Sequence, residues 1–174
     1  MVHQKFQPVD DLLDKSHMTG LYVQACTLPY TLTGGNLQDV QNIQDSKPIC
    51  YVDEHWLESY FFTDEVVEYL DGKVPHNIER AYINMGIHSE TPRTHVDSGS
   101  KGDKTLLYYI NEEWHNDWGG ETIFLCSKCK NIEYITPFVP GRIIVFDSTI
   151  PHAARQQSFA GPTYRFTLAI KFRA

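Results

Sequence analysis

At 174 residues the chain is long enough to bury a sizeable core as one domain, and its 41% hydrophobic and 13% aromatic content excludes intrinsic disorder. A formal net charge of −7 weighs against nucleic acid or an anionic membrane surface as partner, because both call for cationic surface. The first residues hold no apolar signal stretch and no run approaches about 18 apolar residues, so a soluble, cytoplasmic protein without a membrane span is expected.

In chain order, residues 10–15 are predicted as a short helix and residues 21–28, rich in Leu, Tyr, Val and Thr, as a strand ended by Pro29. The polar, Gln/Asn-rich stretch 35–48 reads as a long surface loop of the kind that covers a site. Residues 53–70 carry Trp56, Leu57, Tyr60, Phe61, Val66, Val67 and Leu70 at helical steps, with a possible division at Thr63-Asp64 and a stop at Gly72. From residue 78 the pattern changes. Stretches 78–85, 93–97, 104–111, 121–125, 132–136, 142–146 and 164–172 are short and β-rich, separated by Gly, Pro, Ser and Asn clusters, which suggests a sandwich or barrel. The four cysteines, Cys26, Cys50, Cys126 and Cys129, are expected as thiols. Cys126 and Cys129 have C-x-x-C spacing, but one such pair is half of a zinc site and is read as loop.

The chemistry concentrates around His95-Val96-Asp97. Alternation sends residues i and i+2 of an extended segment to one side, so an imidazole and a carboxylate project together. His152, preceded by Pro151 and the apolar run 143–146, completes a 2-His-1-carboxylate set, which suits non-haem Fe(II) and also serves catalytic zinc. In 104–111, Leu107 and Tyr109 share a face, and an inward tyrosine hydroxyl needs a partner. Arg165 opens the last strand with Thr167 on the same side. A guanidinium in an apolar strand is costly unless an anion meets it, and a dicarboxylate co-substrate is one answer. If 142–146 and 164–172 pair as a hairpin, Arg165 comes close to His152.

Four stretches now stand in order: HVD with its distant His152, LLYYINEEW, WGGETIF, and TPFVPGRIIVF…PHAARQ…YRFTLAIKF. Together they resemble the 2-oxoglutarate- and Fe(II)-dependent dioxygenases, in the prolyl-4-hydroxylase-like branch, over about residues 78–174. The resemblance implies a mainly β (α+β) fold, a double-stranded β-helix (jelly roll, cupin-like barrel). Residues 1–77 would supply N-terminal helices packed on one sheet, and 78–174 the catalytic core of a single domain. It implies iron on His95, Asp97 and His152. Arg165 would bind the distal carboxylate of 2-oxoglutarate, Tyr109 would donate to the same group, and Tyr82, Thr122 and Thr167 would line its pocket. The implied cofactors are Fe(II), 2-oxoglutarate, O2 and ascorbate. The implied reaction is hydroxylation of an unactivated C–H with release of succinate and CO2, on a prolyl or other residue of a peptide or protein, or else on a free amino acid or small metabolite. One departure is the interval of 13 positions from His152 to Arg165, which implies an extended loop over 153–163.

Two other classes compete. A zinc hydrolase would use the same donors, but there is no H-E-x-x-H helix and no obvious use for Arg165. A non-catalytic jelly-roll binding protein has no need of all four of His95, Asp97, His152 and Arg165.

Overall fold

The computed structural model describes residues 6–33, 47–88, 93–128 and 131–174. Two antiparallel sheets form its frame. The larger has the order β1-β2-β3-β9-β4-β7, made of Thr31–Thr33, Lys47–Val52, Asn77–Ile87, Tyr164–Arg173, Lys104–Tyr109 and Ile143–Asp147. The smaller has the order β6-β5-β8, made of Ile132–Thr136, Thr122–Leu125 and His152–Ala154. The last strand of the chain therefore lies centrally, between β3 and β4.

Alternation along β9 divides its residues cleanly. Phe166, Leu168, Ile170 and Phe172 face one way, with Ala81 and Ile83 of β3 and Leu106 and Tyr108 of β4. Three helices cover this face, contributing Leu21 and Ala25 of α1 (Lys15–Thr27), Leu57 of α2 (Glu54–Tyr60), and Val66 and Leu70 of α3 (Asp64–Leu70). On the opposite face Leu107, Ile144, Phe146 and Ala169 pack with Phe6 and with Phe124 of the smaller sheet.

Each helix begins where a side chain takes up an otherwise unpaired backbone N–H. Asp14 accepts from His17 N at 2.9 Å, Asp53 from Trp56 N at 2.8 Å, and Thr63 from Val66 N at 3.4 Å. The break foreseen at Thr63-Asp64 is thus a second cap. The strand expected over 21–28 is instead helical to Thr27, and the short helix expected over 10–15 does not form: residues 10–14 are irregular and α1 starts at Lys15. Met18, Leu21, Tyr22, Ala25 and Leu28 form one stripe against the sheet, and that packing overrides their β-rich composition.

Three further expectations are corrected. Residues 93–97 make only a single bridge, His95 to His152, rather than a strand. The hairpin between 142–146 and 164–172 does not form, since β7 and β9 both pair with β4 and lie on either side of it. The stretch after His152 begins as strand β8, so the region read as loop is shorter than 153–163. The loop read over 35–48 lies mostly outside the described residues; Lys47 and Pro48 already belong to β2. Among the described residues Cys26 and Cys50 are free thiols; Cys129 lies outside them. No helix among the described residues is long and apolar enough to cross a membrane.

Candidate active site

His95 and His152 meet across the single bridge, His95 N to His152 O at 3.0 Å and His152 N to His95 O at 2.9 Å. Their rings lie side by side, centroids 4.5 Å apart. Each Nδ1 faces a backbone carbonyl: His95 that of Arg93 at 3.1 Å, His152 that of Ile150 at 3.0 Å. A carbonyl only accepts, so both Nδ1 atoms carry the proton and both Nε2 atoms keep a lone pair for a metal. Asp97 Oδ1 lies 3.6 Å from His95 Nε2, and Asp97 Oδ2 lies 3.5 Å from His152 Nε2. Donors about 2.1 Å from a metal at right angles stand about 3 Å apart, so a small closure seats an ion. These three residues are the one such cluster of His, Cys, Asp and Glu among the described residues.

The electrostatics favour the metal-binding protonation states. Burial pushes His152 down from the usual 6.5 to about 4, against the pull of Asp97, so its imidazole is neutral near pH 7. Burial works to raise the Asp97 carboxyl, but the Lys171 ammonium, His152 and the hydrogen bonds from Lys171 and Thr105 outweigh it and hold it below the usual carboxylate range.

The site opens into a cavity whose floor is the inner face of the large sheet. Register sets Asn84 beside Thr167, Tyr82 beside Ala169 beside Leu107, and Gly86 beside Arg165. Thr167, Ala169, Lys171, Tyr82, Thr122 and Arg165 all line the cavity with His95 and His152. Arg165 is 5% exposed. Its Nε donates to the Gly120 carbonyl at 2.9 Å, and its guanidinium lies over the Phe138 and Tyr109 rings, at 5.0 and 5.6 Å. Gly120 has φ of +79°, and a Cβ there would stand 2.8 Å from Trp114 and 3.2 Å from Arg165 Nε. The paired glycines of WGGETIF thus let the chain pass close to the arginine. Trp114 belongs to this support, tilted against Phe138 with ring centroids 4.2 Å apart, its Nε1 donating to the Gly119 carbonyl at 2.8 Å.

Of the residues read from sequence, His95, Asp97 and His152 come together, and Arg165, Tyr82, Thr122 and Thr167 share the cavity. Tyr109 is fully buried one layer behind, and its hydroxyl donates to Thr122 Oγ1 at 2.8 Å. Three participants were missed. Lys171 and Thr105 both hydrogen-bond Asp97 Oδ2, and Asn84 Nδ2 donates to Thr167 Oγ1 at 3.3 Å. Lys171 carries a signal in the sequence, since it continues the alternation Arg165, Thr167, Ala169.

Fold and site together define a jelly roll presenting a 2-His-1-carboxylate set beside a pocket arginine. The family model described as the 2OG-Fe(II) oxygenase superfamily matches residues 82–173, and the chain belongs to that family of oxidoreductases. Iron and 2-oxoglutarate are the cofactors it is built for, and the donor set fits them. Among solved structures, a prolyl-4-hydroxylase from Pseudomonas putida superposes with a TM-score of 0.70 at 14% identity, covering 98% of this chain and 93% of that one. A Trichoplax adhaerens prolyl hydroxylase, in complex with a hypoxia inducible factor oxygen degradation domain peptide fragment, gives 0.66 at 17%, covering 98% and 86%. HygX from Streptomyces hygroscopicus, with nickel and 2-oxoglutarate bound, gives 0.68 at 8%, covering 97% and 82%. These likenesses establish the double-stranded β-helix fold. No curated protein matches the sequence.

Proposed function

We propose that His95 Nε2, His152 Nε2 and Asp97 hold Fe(II), and that the cavity binds 2-oxoglutarate with its distal carboxylate on Arg165. The observation that carries this reading is the shared cavity: His95 and His152, clustered with Asp97, line it together with a buried guanidinium whose Nη groups suit a carboxylate. Thr122, already accepting from Tyr109, has its own proton to donate toward that carboxylate, so Tyr109 acts through it. Thr167, steadied by Asn84, adds a second hydroxyl, and Tyr82 walls the far side. Bound iron would supply the oxidising chemistry with O2 as oxidant and 2-oxoglutarate as co-reductant; the protein orients the co-substrate and admits the C–H to be hydroxylated.

For the substrate we favour a prolyl or similar residue within a peptide or protein. The prolyl hydroxylases among the structural neighbours support this, one of them with a peptide bound. So does access: the His95 side chain is 46% exposed while those of Asp97 and His152 are 4% and 5%, which leaves one side of the metal site accessible to a residue still in its chain.

Anaerobic titration with Fe(II) and 2-oxoglutarate tests the cofactor assignment. The expected result is a visible metal-to-ligand charge-transfer band, lost when Asp97→Ala and His152→Ala are combined. No band in the wild type, or one unchanged in that variant, refutes the assignment. Mass spectrometry of proline-containing peptides and of metabolite extracts, with and without enzyme, tests the substrate. A gain of one oxygen confined to small metabolites would overturn the peptide reading.

A further inference from the structure

Lys171 is 4% exposed, an unusual place for an ammonium, and stands directly opposite Thr105 in the β4–β9 register. Both send their donors to the same atom, Asp97 Oδ2: Thr105 Oγ1 at 2.7 Å, and Lys171 Nζ in an ion pair buried at both ends. Thr105 is itself fixed by Ser148 Oγ at 2.9 Å. Each oxygen also faces a ligand nitrogen, Oδ2 at 3.5 Å from His152 Nε2 and Oδ1 at 3.6 Å from His95 Nε2, but it is Oδ2 that takes both the hydroxyl and the ammonium. A carboxylate whose two oxygens are so differently occupied has one left for a metal.

We infer that Lys171, with Thr105, is a positioning residue that keeps Asp97 a one-oxygen ligand and thereby preserves the third open coordination position of the metal. The inference rests on the metal and co-substrate assignment above. An Fe(II) ion offers six positions; three protein donors leave three, and a two-oxygen carboxylate would leave two. The ammonium also adds one positive charge beside a site that must accept a dianion. Removing it therefore acts in opposite directions on the two ligands. The divalent ion loses a repulsive neighbour and gains a second carboxylate oxygen, while 2-oxoglutarate, a dianion, loses a favourable charge and meets a metal with one open position fewer.

The test is Lys171→Met, an apolar replacement of similar length, with Thr105→Val as a second variant that removes a donor without changing charge. Mn(II) binding alone, followed by calorimetry, is expected to be retained or tightened in both. Binding of 2-oxoglutarate to the metal-loaded protein is expected to weaken by about 10- to 100-fold in Lys171→Met, the scale of losing one nearby charge, and less in Thr105→Val. The charge-transfer band at saturating co-substrate should shift, and Lys171→Arg should restore much of the affinity. Parallel loss of metal and 2-oxoglutarate would mean a general packing role and overturn the inference. Wild-type affinity for 2-oxoglutarate in Lys171→Met would overturn it too, with the site assignment left standing. If the wild type binds neither Mn(II) nor 2-oxoglutarate, it is the underlying assignment that fails. Should Lys171→Met not fold, Thr105→Val reports the same split between the two ligands.

Discussion

Replacing Gly120 by alanine adds one methyl group at the point where chain and co-substrate arginine come closest. Two costs combine. The backbone sits at φ +79°, where an L side chain loses about 1–2 kcal/mol. The new Cβ would also stand 2.8 Å from Trp114 Cζ2, closer than such atoms approach, and 3.2 and 3.3 Å from Arg165 Nε and Cδ. Trp114 cannot swing aside freely, being tilted against Phe138 with ring centroids 4.2 Å apart and tied to the Gly119 carbonyl at 2.8 Å. Crowding of that kind costs about 1–3 kcal/mol. The expected loss is about 2–5 kcal/mol, a large share of the stability of an ordinary domain. Arg165 is the more movable neighbour, so 2-oxoglutarate affinity should fall as well, toward the roughly 100-fold that a displacement near 1 Å can cause. Urea denaturation reads the first effect and calorimetric titration of the metal-loaded protein reads the second. Gly99→Ala is the control, because its Cβ meets nothing within 4 Å. If Gly120→Ala were as stable as Gly99→Ala and bound 2-oxoglutarate as the wild type does, the role of the paired glycines would be refuted.

Arg165→Ala should weaken 2-oxoglutarate by about 2–5 kcal/mol, the cost of deleting one partner of a buried charged pair, while Mn(II) affinity changes little. Equal losses of both would mean that Arg165 does not bind the co-substrate. In the metal-free protein, His152 titrates near 4 when folded and near the usual 6.5 when unfolded, so the unfolded chain takes the proton first. The neutral, buried His152 therefore contributes about 3 kcal/mol that is fully present above about pH 6.5 and lost as the pH falls toward about 4. Urea midpoints of wild type should drop more steeply over that window than those of His152→Leu, and parallel profiles would contradict it. Leu21→Ala, at a position with 0% exposure, should cost about 2–5 kcal/mol by chemical denaturation. A loss below about 1 kcal/mol would be inconsistent with α1 packing as described.

The parts legible in sequence were those in which a side chain is out of keeping with its surroundings. Arg165 in an apolar strand is one; His152 after a buried run is another. Lys171 obeys the same logic three alternations on, but a lysine two residues from a strand end also fits an edge, and nothing local distinguishes the cases. Its partner Asp97 is 74 residues away, and that pairing exists only because β9 lies between β3 and β4. Helix α1 was illegible for the opposite reason. Gly20 weakens a helix and Tyr22, Val23 and Thr27 favour strands, and what settles the segment as helix is the Asp14 cap together with a sheet face to pack on.

The segment that carries the first two metal donors is itself not part of a ladder. Between residues 93 and 98 its backbone is held by the bridge to His152, and by Asp97 N and Ser98 N, which both donate to the Ser148 carbonyl at 2.9 and 3.1 Å. Side chains anchor it further: Asp97 is gripped by Thr105 and Lys171, and Ser98 Oγ donates to Asp103 Oδ2 at 2.6 Å. The two buried cations of β9 are likewise stabilised from outside their strand, Arg165 by the Gly120 carbonyl and Lys171 by Asp97. A register slip of one residue would turn both cations into the core beneath the helices, so their partners specify register as well as chemistry. It follows that Asp97→Ala removes a metal donor, a tether and the partner of a buried ammonium together. Asp97→Asn keeps an oxygen to accept from Thr105 while replacing the charge and the other oxygen by a neutral NH2 group, and so separates loss of the metal from loss of the segment that presents it.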